Sequence, residues 1–477
     1  MTHPVRLQSK EAAALNEHCE LISALLGGTK AMRAAGETYM PKWPGEDAEA
    51  LKVRIAVATL FPAFGRTIEV LGAKPFSKPV TIGEDVPAKL VPWLEDVDRA
   101  GRNLHSFLSE IGQEALGYGF SGILVDYPPT RDKDGKPLYV TKADEQAAAV
   151  RPYFVQVHPK NILGWLTDKD GMSQLRLLES VDVEDGDYAT KAIEQVRVLR
   201  RGSWETWRQV PNKPEEWVLH DSGSTTPLAK IPFVPVYGQR LGNMMARPPL
   251  LELAYANVEH WQSKSDQQNI THVARVPILF AKMLGENTQI TVGAGSAVKG
   301  ETPESDLKFV EHTGAAIEAG RKSLLDLEDR MRQAGAELLV IKPGNVTESQ
   351  TLADNEQGAC ALQKVAENLE DAADQALQLM ADWVGEQEGG HVTVFKDFGA
   401  ATLAEASAEL LLKTNQAGKL SDESLHEELQ RRGIVKPDTD WATEKDRIDS
   451  QGPPPGAMED VPPPAGKKPV KADPAQP

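Results

Sequence analysis

The chain has 477 residues, 40% of them hydrophobic and 26% charged, which is the composition of a globular protein large enough for about two to four domains. Its formal net charge of −18 excludes tight, sequence-independent binding of DNA by bulk positive charge, although DNA could still pass such a protein. Two cysteines, Cys19 and Cys360, cannot build a disulfide framework or a structural zinc site, and no run approaches the roughly 20 apolar residues that cross a bilayer. The first ten residues lack the apolar core of a secretion signal, so we expect a protein made in a reducing compartment.

The first third of the chain is predicted to be mainly helical. An amphipathic helix is expected over 10–26, ended by Gly27-Gly28, and further helices near 46–60, 63–71 and 102–117. A glycine-rich turn over 117–122 then leads into a predicted strand at 123–127. Because the order is helix, glycines, strand, no helix N-terminus faces the turn, and the pattern favours a left-handed helix stop over a phosphate site.

From Pro152 to Tyr237 the pattern changes to β. Candidate strands alternate with Asp, Gly, Pro and Asn turns, which is typical of an antiparallel meander. His158 follows the first strand, where a lone histidine is far more often structural than catalytic. The candidate strands cover 153–157, 175–181, 196–200, 204–210 and 233–237.

The stretch from Pro248 to about Gly385 organises the rest of the chain. A helix follows Pro248-Pro249 and ends at Pro277, because proline lacks the amide that the helix needs. Three strand-like runs follow at 277–283, 289–292 and 307–311, separated by glycines. A second helix begins near Ala315, Lys342-Pro-Gly-Asn345 breaks it, and a third helix is predicted over 351–384.

The third helix has two contrasting faces. One is an apolar seam with alternating spacings of four and three residues, which predicts packing in a core. The other is acidic, with Lys364 as its single basic residue, and we expect it to be solvated or to face something that must not adhere to it. The seam comprises Leu362, Ala366, Leu369, Ala373, Ala376, Met380 and Trp383; the acids are Asp354, Glu356, Glu367, Glu370, Asp371, Asp374 and Asp382.

The C-terminal part combines a short strand, two short helices and a proline-rich tail. The strand is predicted at 391–395 and the helices at 402–413 and 421–432, with Ser421 as the N-cap of the second helix. From about Glu444 the sequence becomes rich in proline and poor in apolar residues. We therefore expect 444–477 to be disordered.

The residues themselves do not point to catalysis. HExxH, Walker A, paired CxxC and strand-anchored GxSxG motifs are absent from the sequence, and the ten histidines are scattered. Acids such as Glu328 and Asp329 lie among arginines at helical spacing, which indicates solvated ion pairs. We predict no catalytic residue, no cofactor and no metal.

Several segments, taken in order, resemble the portal proteins of tailed bacteriophages, in a branch typical of siphophages and prophages. The likeness covers roughly residues 10–440 and lies in the order of the segments more than in any one of them. The segments are Tyr39-Met-Pro-Lys-Trp-Pro-Gly-Glu46, Arg66-Thr-Ile-Glu-Val-Leu71, Lys74-Pro-Phe-Ser-Lys-Pro79, Gly122-Ile-Leu-Val-Asp-Tyr-Pro128, Pro249-Leu-Leu-Glu-Leu-Ala-Tyr-Ala256, Val276-Pro-Ile-Leu279, Leu307-Lys-Phe-Val-Glu311 and Leu327-Glu-Asp-Arg-Met331.

This resemblance implies an α+β, multi-domain portal fold with long stem and wing helices and small antiparallel sheets. Residues 1–248 would form the wing, with its meander at about 152–237, and 249–276 the first stem helix. Residues 277–314 would be the clip, 315–339 the second stem helix and 340–351 the tunnel loop. The long wing helix and its return strand would cover 352–400, a helical crown 401–443, and the tail 444–477. Gly358 departs from the pattern, because glycine weakens a helix by about 1 kcal/mol relative to alanine near the proposed helix start.

The resemblance also implies a function without catalysis. The protein would form a ring, usually of twelve copies, at one capsid vertex, assembled in the host bacterial cytoplasm. Double-stranded DNA would pass through the channel, and the ring would contact the large terminase subunit, the major capsid or scaffolding protein and a head-completion adaptor. The tunnel-loop residues facing DNA would be Lys342, Asn345, Val346, Thr347, Glu348, Ser349 and Gln350; the clip residues contacting partners or other copies would be Lys282, Glu286, Asn287, Gln289, Lys299 and Lys308.

Two alternatives remain open at this point. The chain could be a soluble hydrolase or transferase whose site has no recognisable motif, which would form a small oligomer with a ligand-filled cleft. It could also be another structural or adaptor protein of a virion, which would form a ring or shell without a continuous channel. The size and end-on appearance of the purified particle would distinguish the three hypotheses: a portal ring, an enzyme and another virion protein.

Overall fold

A computed structural model describes residues 3–128, 150–186, 188–210, 213–225, 228–275, 278–282, 306–310, 314–339, 360–396, 411–431 and 439–450, with short pieces at 136–139, 141, 143–144, 148, 304, 398 and 435. The chain divides into two units, Met1–Lys396 and Asp397–Pro477. Long helices and small antiparallel sheets make up the first unit, so the predicted α+β fold class is confirmed. Within the described ranges, no helix is both long enough and apolar enough to cross a membrane.

Polar residues at the helix starts explain where several helices begin. The helices are α1 Lys10–Leu15, α2 Cys19–Leu26, α3 Gly28–Ala35, α4 Ala48–Val57, α5 Ala63–Ala73, α6 Leu104–Tyr118, α7 Leu251–Ala274, α8 Ala315–Ala336, α9 Ala361–Val384, α10 Asp422–Arg431 and α11 Trp441–Ser450. The side chains of Ser9, Asp47 and Asn103 accept hydrogen bonds from first-turn amides of α1, α4 and α6. The single helix predicted over 10–26 is wrong, because the chain leaves α1 at Asn16 and starts α2 at Cys19.

The strands form five separate antiparallel sheets in the described part of the chain. They are β1 Thr81–Ile82, β2 Phe120–Asp126, β3 Tyr153–Val157, β4 Ile162–Asp168, β5 Gly171–Glu184, β6 Thr190–Arg200, β7 Ser203–Val210, β8 Lys213–Ser224, β9 Phe233–Tyr237, β10 Gln239–Gly242, β11 Met245–Arg247, β12 Ile278–Lys282, β13 Asp306–Val310 and β14 Val392–Thr393. The sheet orders are β1-β14, β10-β11, β12-β13, β3-β2-β9 and β4-β5-β6-β7-β8.

The predicted meander is confirmed for its middle strands and wrong for its ends. Strands β4 to β8 pair with their neighbours in chain order, as a meander requires. Strands β3 and β9, predicted as part of the meander, instead pair with the two edges of β2. The reason is that β2 is buried on both faces, so it forms the centre of a sheet and needs a neighbour on each side.

Strand β2 joins two apolar cores because its side chains alternate between the two faces of the sheet. Ile123 and Val125 point into a core shared with α6 and α9. Phe120 and Leu124 point into a core shared with the meander. The turn before β2 contains Gly119, which has a φ of 82°, so the predicted left-handed helix stop is confirmed there.

Helix α9 begins later than predicted and lies in the core as predicted. Cys360 has an extended backbone and its sulfur accepts the amide of Gln363, so the continuous helix predicted from residue 351 is interrupted at Cys360. Every seam residue from Leu362 to Met380 is buried, and Trp383 is partly buried. The apolar seam is therefore confirmed.

Part of the acidic face of α9 has a structural role that the sequence did not indicate. After α9, the segment 389–396, which we call the strap, runs back along the helix. Asp374 accepts the amide of Val392 at 2.9 Å, and Glu370 accepts the amide of Val394 at 2.8 Å. Four residues of helix rise about 6 Å and two residues of strand about 6.6 Å, so acids four apart match alternate strap amides. These two acids thus bind backbone rather than solvent.

The C-terminal unit contains α10 and α11. Ser421 Oγ accepts the amide of Ser424, which confirms the predicted N-cap. The ring centroids of His426 and Trp441 lie 5.4 Å apart, and this contact holds the two helices together. Residues 444–450, predicted as the start of the disordered tail, belong to α11, which Trp441 anchors to α10. Residues 402–410 and 451–477 lie outside the described part of the chain.

Candidate functional site

Helices α7 and α8 form an antiparallel pair, joined at one end by the β12–β13 ribbon. Three contacts fix the direction: His260 lies against Glu328, Glu259 against Arg330, and Gln267 donates to the carbonyl of Ile317 at 2.8 Å. Residue numbers rise along one helix as they fall along the other. A β-carbon at Gly320 would meet the end of the Gln267 side chain, so the glycine leaves room for that side chain where it binds the carbonyl of Ile317.

Burial along the pair falls steadily toward the ribbon. The first half of α7 contains the buried Leu253, Asn257 and Trp261, and Ser265 is the last described residue of α7 that is buried. On α8, the buried residues are Leu327, Met331 and Gly335, all in the second half. The halves near the ribbon therefore contribute few buried side chains.

A buried arginine holds the second half of α7 to the N-terminal helices. The Arg54 guanidinium on α4 binds both carboxylate oxygens of Glu46 at 2.8 and 2.9 Å and Asp266 of α7 at 3.1 Å. Burial opposes ionisation of Glu46, yet the amide of Trp43 and the Arg54 guanidinium hold the pKa of Glu46 below its usual value. Trp43 also donates its ring N–H to Asp266 at 3.4 Å. The conformation of 41–46 is thus coupled to the position of α7.

A second polar contact lies between α7 and α8. His260 is 1% exposed, and its Nε2 lies 3.3 Å from Oε1 of Glu328. Burial lowers the pKa of His260, while Glu328 opposes that shift. The sequence interpretation of Glu328 as a solvated partner of arginine is incomplete, because Glu328 contacts Arg332 at 3.4 Å and also this buried histidine. A histidine beside the apolar Trp261 was the only signal in the sequence.

The ribbon pairs five residues of β12 with five of β13, from Ile278↔Val310 to Lys282↔Asp306. Among the described residues, no third strand joins it. An isolated two-stranded ribbon is at best marginally stable in water, so this one needs cover from elsewhere.

The structure locates only part of the predicted site. Lys282 is exposed in β12, and Lys308 lies in β13 opposite Phe280. Because cross-strand partners share a face, the register places Lys282 and Lys308 on one face of the ribbon. The remaining predicted residues lie outside the described residues: Glu286, Asn287, Gln289, Lys299, Lys342, Asn345, Val346, Thr347, Glu348, Ser349 and Gln350.

The arrangement offers surfaces for association. Over the described ranges, no group of three His, Cys, Asp or Glu side chains is placed to hold a metal. The predicted strand at 289–292 also lies outside those ranges. The partly exposed helix pair and its two-stranded ribbon can associate with other chains.

A family model matches the region of the candidate site. A family model described as "Domain of unknown function (DUF4055)" matches residues 249–384, which span α7, the ribbon, α8 and α9. No curated protein matches the chain.

Three solved structures are similar over most of the chain, each at 12% identity. They are a chain of the virion of a native gene transfer agent particle (TM-score 0.39; 83% of this chain and 97% of that one), a chain of the neck of an empty gene transfer agent particle computed with C6 symmetry (0.40; 86% and 99%) and a chain of the neck of a native particle computed with C12 symmetry (0.40; 85% and 99%).

Proposed function

We propose that this chain is the subunit of a portal ring, a head-to-tail connector at one capsid vertex. The observation that carries the proposal is the α7–α8 pair, whose outer halves and terminal ribbon lack a core of their own. Copies arranged in a ring would cover these surfaces with one another, the helices as a stem and the ribbons as a clip. The sequence segments that resemble those of portal proteins support the same arrangement.

The charge of the chain suits a conduit for DNA. Twelve copies at −18 each would carry a formal charge of −216. An acidic wall repels the phosphate backbone and keeps DNA mobile, whereas a basic wall would bind DNA through counterion release. We infer that double-stranded DNA passes through the ring during packaging and ejection.

The segments before and after α8 would then contact the moving DNA and the proteins that dock on the ring. In this proposal the loop 340–351 lines the narrowest part of the channel. Lys342 meets phosphates transiently, Asn345, Thr347, Ser349 and Gln350 form sequence-independent hydrogen bonds, and Glu348 prevents tight binding. The clip segment 277–314 contacts the large terminase subunit and later a head-completion adaptor, and the wing contacts capsid or scaffolding protein.

The size and symmetry of the purified protein test the ring. We expect particles of roughly 0.6 MDa for twelve copies of the 52.0 kDa chain, with a central hole in end-on electron micrographs. Deleting 284–306 is expected to leave folded subunits that close rings poorly or fail to dock the motor. A monomer or small oligomer with a ligand-filled cleft would favour the enzyme alternative, and a ring without a channel would favour another virion protein.

The loop is tested by changing Asn345, Thr347 and Glu348 together to lysine. Rings are expected to assemble normally but to package or release DNA abnormally, most visibly at low salt, where phosphate attraction is least screened. Changing the exposed Lys52, Lys89 and Lys213 together to glutamine provides a control of altered surface charge away from the loop. Normal DNA handling by the loop variant at every salt concentration would place the loop away from DNA.

A further inference from the structure

The outer half of the β5–β6 hairpin extends beyond the rest of its sheet. Strand β4 pairs with β5 only as far as Leu177, and β7 pairs with β6 only from Gln195 onward. The pairs from Ser180↔Glu194 to Glu184↔Thr190 therefore have no third strand among the described residues. We call residues 180–194 the arm.

The arm has two chemically different faces. Val181, Ile193 and Val183, all only partly buried, share one face with the exposed Lys191. The opposite face is acidic, with Asp182 and Glu184 exposed. A two-stranded ribbon gains little stability by itself, so the arm offers its exposed faces and its tip to a partner.

The tip of the arm presents an aromatic ring to solvent. Asp185 donates its amide to the carbonyl of Ala189 at 2.8 Å, and Gly186 adopts a φ of 81° to close the turn. Tyr188 within this turn is fully exposed. Exposed tyrosines beside apolar surface are frequent anchors of protein interfaces.

A complementary surface lies on the β10–β11 hairpin. Leu241 is 64% exposed there, and the neighbouring Arg240 is exposed with its guanidinium 4.9 Å from the ring centre of Tyr237. Within the described residues, Arg240 forms no ion pair with a carboxylate. This hairpin thus offers an apolar side chain beside an uncompensated positive charge, the counterpart of an aromatic tip beside Asp182 and Glu184.

We propose that the arm of one copy docks on the β10–β11 hairpin of the next copy in the ring. In this contact Tyr188 packs against Leu241, and the acids of the arm face Arg240. The two surfaces differ, so the contact is head-to-tail and repeats around a ring. The inference rests on the proposed ring and adds to it a specific subunit contact outside the stem and clip.

Engineered cysteines test this contact directly, because the native Cys19 and Cys360 are both buried. The double variant Tyr188→Cys, Leu241→Cys, oxidised under mild conditions, is expected to give a ladder of covalent oligomers on a denaturing gel. Each single variant is expected to remain monomeric on that gel. As a matched control, Tyr188→Cys combined with Leu166→Cys, which is 59% exposed, should give no ladder.

A charge exchange gives an independent measurement. Arg240→Glu is expected to lower the ring fraction several-fold at a fixed protein concentration, and adding Asp182→Lys with Glu184→Lys should restore it. Covalent dimers from Tyr188→Cys alone would show a symmetric contact and overturn the proposal. Wild-type rings without a ladder in the double variant would overturn the docking but leave the ring intact, whereas an absence of rings in the wild type would overturn both.

Discussion

Helices α9 and α8 are almost equal in length but differ in how much of each the chain itself covers. Eleven of the 24 residues of α9 are buried, compared with three of the 22 residues of α8. Both sequences carry an apolar stripe at helical spacing. The stripe of α9 is covered by α6 and the β3–β2–β9 sheet, whereas α8 packs mainly against α7.

This difference separates a region that is complete within one chain from a region that needs other copies. Residues buried in a core that one chain completes contribute to the free energy of unfolding of that chain. Residues left exposed where the core is incomplete contribute instead to association with other copies. The same substitution should therefore change mainly the unfolding free energy in α9 and mainly association in α8. A substitution at the junction between the two regions should change both quantities.

The largest effect is expected at that junction. Arg54→Ala removes the partner of Glu46, whose side chain is 13% exposed, and leaves its carboxylate nearly buried without compensation. Loss of one member of a buried pair costs about 3 kcal/mol, and we expect a decrease of this size in the unfolding free energy from denaturant titration. Lys52→Ala, in an exposed pair with Glu49, is the control and should change it by less than about 1 kcal/mol. Equal effects would mean that Arg54 does not hold α7 in place.

A matched pair of leucines tests the comparison itself. Leu369→Ala in α9 removes a side chain that is 1% exposed, and we expect a loss of about 3 kcal/mol in the unfolding free energy. Leu325→Ala in α8, where the side chain is 44% exposed, should cost the chain less than about 0.5 kcal/mol but reduce ring formation at low protein concentration. A large loss of chain stability from Leu325→Ala would show that α8 is already covered within one copy.

The sequence predicted the positions of the helices and strands in both regions well. It predicted less well which elements pack or pair with one another in space. Pro277 and the glycines around the ribbon placed the ends of α7, β12, β13 and α8 within a few residues, because proline and glycine act locally. Strands β3 and β9 were predicted at their observed positions but assigned to the wrong sheet, because pairing depends on which strand has two buried faces.

The sequence predicted the elements that form the candidate site but not the contacts between them. The sequence pattern predicts a helix, a short β segment and a second helix. It does not predict that the Arg54 guanidinium binds Glu46 and Asp266. Asp266 lies more than two hundred residues beyond Arg54 in the sequence, and such distant contacts leave no local pattern. The acids of α9 that bind the strap were likewise indistinguishable from solvated acids.

Inside the complete region, acidification is expected to destabilise the chain. Burial, and to a lesser degree Lys160, lower the pKa of His158 to about 4, and its Nδ1 accepts the amide of Lys160. The stability that depends on the neutral ring is present above the unfolded pKa near 6.5 and is lost as the pH falls toward 4. Lowering the pH from 7 to 5 should cost about 2 kcal/mol from this group, measured by denaturant titration. His158→Gln should reduce that loss, and an unchanged pH profile would contradict the assignment.

The smallest effect is expected at the strap, where a surface pair closes the end of the α9 region. The hydrogen bond with Asp85, with further contributions from the charges of Asp374, Asp85 and Glu388, holds the pKa of His391 above its usual value. In return, His391 holds the pKa of Asp85 below its usual value. The contribution of His391 is complete below its unfolded pKa near 6.5 and is lost as the pH rises through its raised value, whereas that of Asp85 is lost only in acid.

The pair should therefore hold the strap most firmly between about pH 4 and 6.5. Asp85→Asn is expected to speed amide hydrogen exchange at Val392 and Val394 at pH 6, relative to wild type, and to have little effect at pH 8.5. Because Asp85 lies outside the strap, the intrinsic exchange rates of those two amides are the same in both proteins at each pH. Glu388→Gln, which removes the weakest of the acidic contributions, is the control and should change exchange least. An equal effect of Asp85→Asn at the two pH values would mean that the charge on the His391 ring does not hold the strap.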